Sequence, residues 1–502
     1  MRLKMLSKNI SSFFFPSLRN IFFIAIFAGV MRQGNQLLNT DGDLGHHLAM
    51  GRLILASSAI PQTDPFSFRT ETILAIPHEW LIQAGFATLE NWFGLTGIVI
   101  FCALTLAATF SLLLHHSIQR SGMLLAGLTM TSLALAASAL HWIARPHLLT
   151  FLLLTIWSAS LEAYLNGKHR RWWIFPLLML VWANLHGMFL FGLLLLGLSA
   201  AGYGWERFAE KKPGPPPGLG RGLALAGVTS TIVTFMTPSG WHLWQTIFEL
   251  ANSSFITGMT SEYQSANFHE PGTWPFLLML GIILATAVLS SKKLEMPSAL
   301  YLAAWTLIGL YSARNIPLAA IGLAPIGAEL LADWINHNAL LKRLALFSQG
   351  LERIEKQLRG WLWAILGVGL GLALAAAGFN LDLSGKPYQF LPTVFPVAAV
   401  DWLETNPPSG RMFNEFDWGG YLLYRLWPEQ KIFMDGHTHI YGDILSREYV
   451  AVLESRPGWE TILGKYEISW AILHTASPLA TQLTETGWTI AYQDEIAVIL
   501  RR

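Results

Sequence analysis

The ionisable residues of this chain gather at a few places between long apolar runs. Asp41-Gly42-Asp43 is followed closely by His46 and His47. Arg145-Pro146-His147, Asn184-Leu185-His186 and Arg314-Asn315 each stand at the end of an apolar run, and a longer polar segment holds Trp241, His242, Glu262 and His269. A carboxylate near an acceptor hydroxyl can take its proton, or can hold a divalent cation such as Mg or Mn through hard oxygen ligands. Arginines pair bidentately with phosphate oxygens and stabilise a departing phosphate as its charge develops. Neutral imidazoles serve as metal ligands or proton carriers. The combination suits transfer from a lipid-linked phosphate donor whose tail lies in a bilayer. On this reading Asp43 and Asp41 are catalytic, and Asp41, Asp43 and His46 are the candidate metal ligands. Arg145, Arg314, His147 and His186 meet the donor phosphate, while Asn184, Glu262 and Asn315 line the same cavity.

Each cluster also has a plainer reading. Asp41-Gly42-Asp43 suits a turn closed by Asx hydrogen bonds. Arg145 and Arg314 suit snorkelling to headgroups, His186 a turn between two helices, and His115 and His116 an interfacial position at a span end. The functional reading rests on acid, histidine and arginine recurring together on one side.

The positioning elements are membrane helices. The 502 residues are 53% hydrophobic and 13% charged, against roughly 25% charged in a soluble domain, with a mean hydropathy of +0.42. One soluble core cannot hide that deficit, because single cores stop growing near ~250–300 residues. A net charge of +1 excludes a phosphate-backbone surface and so a nucleic-acid partner, and the single cysteine, Cys102, excludes an intrachain disulfide or a CxxC motif. Eleven apolar stretches predict spans near 20–38, 95–114, 122–143, 148–165, 172–185, 187–204, 222–237, 275–290, 298–313, 315–332 and 361–379. With the N-terminus inside, the inner segments hold nineteen Lys and Arg, among them Arg2, Lys4, Lys8, Lys211, Lys212 and Arg359. The short outer loops hold only Arg52, Arg69, Arg145 and Arg314. This asymmetry predicts the cytoplasmic membrane as location, with the N-terminus in the cytoplasm and the C-terminal part outside. The inner side then carries loose basic anchors and no mixed cluster, the span centres almost no charge. The connector from Lys211 to Arg221 reads as a solvated hinge, and Leu351, Ile354 and Leu358 as one face of a surface helix. The polar clusters therefore predict one outward-facing cavity.

The composition changes near residue 380. The expected organisation is a transmembrane domain over 1–379, with outer loops 39–94 and 238–274, and an outer α/β domain over 380–502. Arg411–Asn414, Lys431–Met434 and Ser469–His474 read as strands, Asp443–Leu453 and Pro457–Tyr466 as helices, and Trp488–Leu500 as a closing hairpin. Asp417, Trp418, Asp435, His437, His439 and Tyr441 form two polar strings after predicted strands. Their turn signals, Gly419-Gly420 and Asp435-Gly436, suit helix caps as well as a surface for donor or acceptor.

These motifs resemble the GT-C superfamily of glycosyltransferases, which place an acidic motif directly after the first span. The segment from Asp41 to Trp80 is particularly similar to a large group of bacterial GT-C-like membrane proteins. That resemblance extends to Arg145-Pro146-His147, Asn184-Leu185-His186-Gly187, Arg314-Asn315-Ile316-Pro317 and the string from Gly410 to Gly442. A more distant similarity is to oligosaccharyltransferase catalytic subunits, in which a Trp-Trp-Asp-Tyr-Gly motif of the outer domain helps recognise the peptide acceptor. Here Phe416-Asp417-Trp418-Gly419-Gly420-Tyr421 stands in a comparable place, without the tandem tryptophans. The resemblance implies a mainly α, polytopic fold. It also implies Asp43, and then Asp41, as the catalytic or metal-binding carboxylates, and His78 and Glu79 as cavity residues. Glu262 lies in a long outer loop, as their loop glutamate does.

The leading expectation is an inverting glycosyltransferase that takes a sugar, as hexosyl or oligosaccharyl, from a polyprenyl-(di)phosphate donor to a glycan, lipid or protein acceptor. The alternatives are a lipid-linked glycan flippase or transporter, and a non-catalytic envelope assembly protein.

Overall fold

The computed structural model describes residues 14–209, 218–358, 360 and 362–502. Arg2, Lys4, Lys8, Arg359 and the first part of the 211–221 connector lie outside the described residues.

Among the described residues, seven helices are long and apolar enough to cross a membrane: Trp80–Ser121, Leu124–His141, His147–Leu165, Gly187–Phe208, Leu219–Met236, Pro271–Leu289 and Ala313–His337. Shorter apolar helices, Ile174–Ala183, Met296–Tyr311 and Leu362–Ala376, stand at three more of the predicted spans. The first predicted span is the helix Leu18–Arg32, broken at Gln33 before the short helix Gly34–Asn39. Helix Trp80–Ser121 is two helices joined at Gly94, whose φ of 60° and ψ of −163° leave the helical region, so its membrane part starts where the apolar run does. The helix Lys342–Glu355 ends before Leu358, and Ile354 on it is exposed.

The segment read as outer loop 39–94 is more ordered than a loop. Asp43–Ser57 is a helix, and its small residues let it lie directly on another helix, Gly419–Leu426. A Cβ on Gly45 would overlap the Gly420 carbonyl, and one on Gly42 would overlap the Asp417 carbonyl. The loop 238–274 folds into helices Trp241–Asn252 and Ser254–Met259. It reaches the C-terminal part through Ser253, whose hydroxyl donates to Asp443 Oδ1 at 2.5 Å, and through Phe255 beneath Arg447.

In the C-terminal part, β1 (Arg411–Asn414), β2 (Ile468–His474), β3 (Thr489–Gln493) and β4 (Ala497–Arg501) form one sheet in the order β1-β2-β4-β3. β1 and β2 are parallel and the other pairs antiparallel. A parallel pair needs a long crossover, supplied here by Gly419–Leu426, Thr438–Leu453 and Trp459–Lys465. Alternation along β2 and β4 divides the side chains between two faces. Trp470, Ile472 and Ile499 join the apolar core that continues into the helical bundle. Ala471, Leu473, Val498 and Leu500 join a second core with Phe433, Tyr449, Phe68 and Phe255.

The expected strand over Lys431–Met434 is a single bridge, Ile432 to Ser67. The reason is Asn414. Its Oδ1 accepts from the Phe433 N–H at 2.8 Å and its Nδ2 donates to the Met434 carbonyl at 2.8 Å, replacing the ladder with a side chain.

A second expectation is overturned at the far end of the bundle. Arg120 donates to Glu329 at 2.7 Å, to Glu162 at 2.9 Å and to Ser298 at 2.7 Å. His116 contacts Glu162 at 3.0 Å, and Lys292 contacts Glu329 at 2.5 Å. His116 is therefore buried rather than interfacial. This mixed cluster borders a cavity of about 330 Å³. The residues come from different helices and are individually unremarkable in sequence. The half-buried carboxylates there are tolerated because each meets a cation.

Candidate functional site

The first polar cluster is built at the start of helix Asp43–Ser57. Asp41 accepts the Asp43 N–H through Oδ1 at 3.0 Å, the Asx turn read in the sequence. Its other oxygen faces Arg145 Nε at 2.7 Å, and Asp43 Oδ2 faces Arg145 Nη2 at 2.8 Å. One guanidinium thus bridges both acids. Burial is the largest influence on Asp43 and raises its carboxyl to about 6, although Arg145 pulls it down. Gly436 lies directly over that carboxylate, since a Cβ there would overlap Asp43 Oδ1.

Arg314 is held from outside by the loop 238–274. It donates to Glu262 Oε1 at 3.0 Å and to the Tyr263 hydroxyl at 2.7 Å. Glu262 Oε2 is also 3.7 Å from His141 Nε2. The Glu262 carboxyl is held well below the usual range: burial opposes ionisation, but the His141 contact and Arg314 outweigh it. His147 contacts the His141 carbonyl at 2.7 Å. Arg145 and Arg314 are thus paired with carboxylates rather than directed at a membrane surface.

A third group surrounds Glu79, which precedes helix Trp80–Ser121. His186 Nε2, His78 Nε2 and His47 Nδ1 stand 3.6, 3.8 and 3.8 Å from its carboxylate oxygens. Burial drives the Glu79 carboxyl up to about 7 and drives His78 down to about 4. Thr150 fixes the other nitrogen of His186 at 3.0 Å. Asn184 Oδ1 accepts from the Trp80 indole at 2.8 Å, which places Asn184 as a brace for that helix.

The C-terminal string closes over these residues. His46 Nδ1 and Asp435 Oδ2 are 2.6 Å apart. Burial opposes protonation of His46, but Asp435 outweighs it and the histidine is shifted up. His437 stacks on His46 with ring centres 3.5 Å apart and an interplanar angle of 14°. Its backbone N–H donates to Asp435 Oδ1 at 3.1 Å. His46, His78, Glu79, His437 and His439 line a cavity of about 220 Å³ that also touches His242 and Glu249.

The sequence candidates do not all meet. Asp41, Asp43 and Arg145 converge, as do Glu79, His78 and His186, while Arg314 and Glu262 form a neighbouring pair. Trp418 is buried, its indole donating to the Val394 carbonyl at 3.0 Å, so it packs rather than lines the cavity. Asp417 is exposed, and Asn315 is half-buried at the start of helix Ile316–His337. Asp41, Asp43 and His46, expected to hold a divalent cation, do not form a three-ligand group among the described residues. The groups that do are His46, Asp435 and His437, and His47, Glu79 and His437. The two acids instead share a guanidinium, and His46 turns to Asp435. His141, Thr150 and Tyr263 entered the site without being singled out beforehand; their only signal was proximity in sequence to Arg145, His147 and Glu262.

No family model matches the sequence, and no curated protein is significantly similar to it. Solved structures are similar in fold. The Archaeoglobus fulgidus oligosaccharyltransferase in its apo form superposes with a TM-score of 0.57 at 12% identity, covering 91% of this chain and 69% of that one. The same organism's AglB, in complex with an inhibitory peptide and a dolichol-phosphate, gives 0.56 at 11% identity with the same coverage. ArnT from Cupriavidus metallidurans in the apo state gives 0.51 at 15% identity, covering 96% of this chain and 97% of that one. This multi-pass membrane protein, mainly helical with a small C-terminal sheet, therefore has the fold of the GT-C glycosyltransferases.

Proposed function

We propose that the chain is an inverting GT-C-type glycosyltransferase of the cytoplasmic membrane. It takes a sugar from a polyprenyl-phosphate or polyprenyl-diphosphate donor to a glycan, lipid or protein acceptor on the outer face. The observation that carries this reading is the convergence of Asp41, Asp43 and Arg145 under the C-terminal Asp435-Gly436-His437 string. AglB, which shares the fold, is seen with a dolichol-phosphate. The excess of Lys and Arg in the segments opposite this site supports the orientation.

Asp43, ionised at neutral pH, takes the proton of the acceptor hydroxyl as the new glycosidic bond forms and the bond from sugar to phosphate breaks. Arg145 holds Asp43 in place through Nη2. The remaining guanidinium donors of Arg145 and Arg314 stabilise the departing phosphate. The hydrophobic tail stays in the bilayer, so only the phosphate and sugar enter the cavity.

The test is release of free polyprenyl phosphate from a panel of labelled polyprenyl-phosphate sugars in proteoliposomes supplied with envelope extract as acceptor. Asp43→Ala should lower release by roughly 10²–10⁴-fold, the range for losing a general base, without loss of monodisperse protein. Retained release removes Asp43 from the mechanism.

A further inference from the structure

Glu79 poses a physical problem. Its carboxylate is buried, and three imidazole nitrogens surround it at 3.6, 3.8 and 3.8 Å. None of these contacts is a hydrogen bond, and among the described residues no donor reaches the carboxylate within bonding distance. Its side chain is 11% exposed and lines the 220 Å³ cavity, with no donor among the described residues to hold it in the ionised form. Close by, His437 Nδ1 is also buried without a hydrogen-bond partner, in a residue only 8% exposed, and so is Gln83 Oε1 beside His47. Unpartnered polar atoms crowded around a carboxylate at a cavity wall mark a place where something can be coordinated.

The spacing suits a metal ion. Ligands at ~2.0–2.2 Å from a tetrahedral zinc stand roughly 3.3–3.5 Å apart. His47 Nδ1, which Gln83 Nε2 also contacts at 3.3 Å, is 3.8 Å from Glu79 Oε2, and the ligand atoms of His47, Glu79 and His437 all lie within 4.8 Å of one another. The His47 and His437 rings are 5.2 Å apart and cross at 79°. His46 lies over the face of the His437 ring, nearly parallel to it at 14°, and instead fixes it. Asp435 anchors both, by His46 Nδ1 and the His437 N–H, the supporting shell that metal-binding histidines require.

We propose that His47, Glu79 and His437 bind one zinc ion between the outer helix and the C-terminal string, with an open coordination position toward the 220 Å³ cavity. Two imidazoles select a late transition ion over Mg or Ca, which prefer oxygen ligands. Three protein ligands leave the fourth position for water or substrate oxygen. The site ties the first outer segment to the C-terminal part, and its occupancy does not depend on which sugar or acceptor the protein uses.

The test uses the full chain purified in detergent, stripped with chelator and dialysed against zinc, then measured by elemental analysis. One zinc per chain is expected. X-ray absorption at the zinc edge should show two imidazoles and oxygen donors, a readout that needs no variant. H47A, E79Q and H437A should each weaken zinc binding by at least ~10–100-fold, while H337A, on an exposed histidine at the far end of its helix, should leave it unchanged. Zinc below a tenth of an equivalent on folded protein, a first shell lacking imidazole, or binding unmoved in all three variants overturns the proposal. So does binding of Mg or Mn in place of zinc.

Discussion

Gly45→Ala tests the close packing on which the site depends. Gly45 lies on helix Asp43–Ser57 against Gly420, and an added Cβ would overlap the Gly420 carbonyl oxygen and come within 2.9 Å of the Tyr421 nitrogen. These are backbone atoms inside helix Gly419–Leu426, so no side chain can turn away. The added Cβ would lie 2.1 Å from that oxygen, so restoring ordinary contact at ~3.5 Å requires the two helices to part by roughly 1.4 Å. Overpacking of this kind costs ~1–3 kcal/mol, partly offset by the ~1 kcal/mol that alanine gains over glycine within a helix. A net loss of up to about 2 kcal/mol follows. The chemical effect is larger, because Asp43, His46 and His47 move with the helix and a displacement of ~1 Å can cost ~10²-fold in rate. Gly29, in helix Leu18–Arg32, is the control: nothing lies within 4 Å of its added Cβ. Thermal unfolding in detergent and polyprenyl-phosphate release are measured on both variants. G45A should melt lower and lose most release, while G29A should match the unchanged protein in both. If G45A melts as high as G29A and retains release, the helices do not approach as described.

Three further perturbations have defined signs. Burial raises the Asp43 carboxyl from 3.8 to about 6, so release should fall as pH drops below about 6. The proton it holds in the folded state stabilises the protein below about 4, and that contribution is lost as pH rises to about 6. In D43N the melting temperature should lose this pH dependence. Arg120→Ala leaves Glu162 to His116 and Glu329 to Lys292 and should cost ~1–3 kcal/mol, read as a lower melting temperature; unchanged melting would show that the cluster is solvated. Asn414→Ala leaves the Phe433 N–H and Met434 carbonyl unpaired inside the protein. It should cost ~1–3 kcal/mol per stranded group and open residues 431–434 to proteolysis, whereas a variant as stable and resistant as the parent would contradict the role given to that side chain.

Length and apolar periodicity in the sequence determined the membrane helices, because a bilayer demands a continuous apolar surface that shows in any single segment. The same holds for Arg411–Asn414, Ile468–His474 and the closing hairpin, whose alternation is local. The sequence also singled out Asp41, Asp43, Arg145 and Arg314, since charge at span ends is conspicuous, while Glu79 came only from the family resemblance. It could not decide partners. That Arg145 bridges both acids, that Glu262 holds Arg314, and that Asn414 displaces a strand at 431–434 depend on contacts between segments far apart in the chain. Arg120, Glu162 and Glu329 look like separate anchors until helix packing brings them together. His47 and His437 are nearly four hundred residues apart, and only the docking of helix Asp43–Ser57 under the C-terminal string sets their rings 5.2 Å from one another. Local backbone preference is encoded residue by residue; the pairing of charges and ligands is settled by which surfaces exclude water together.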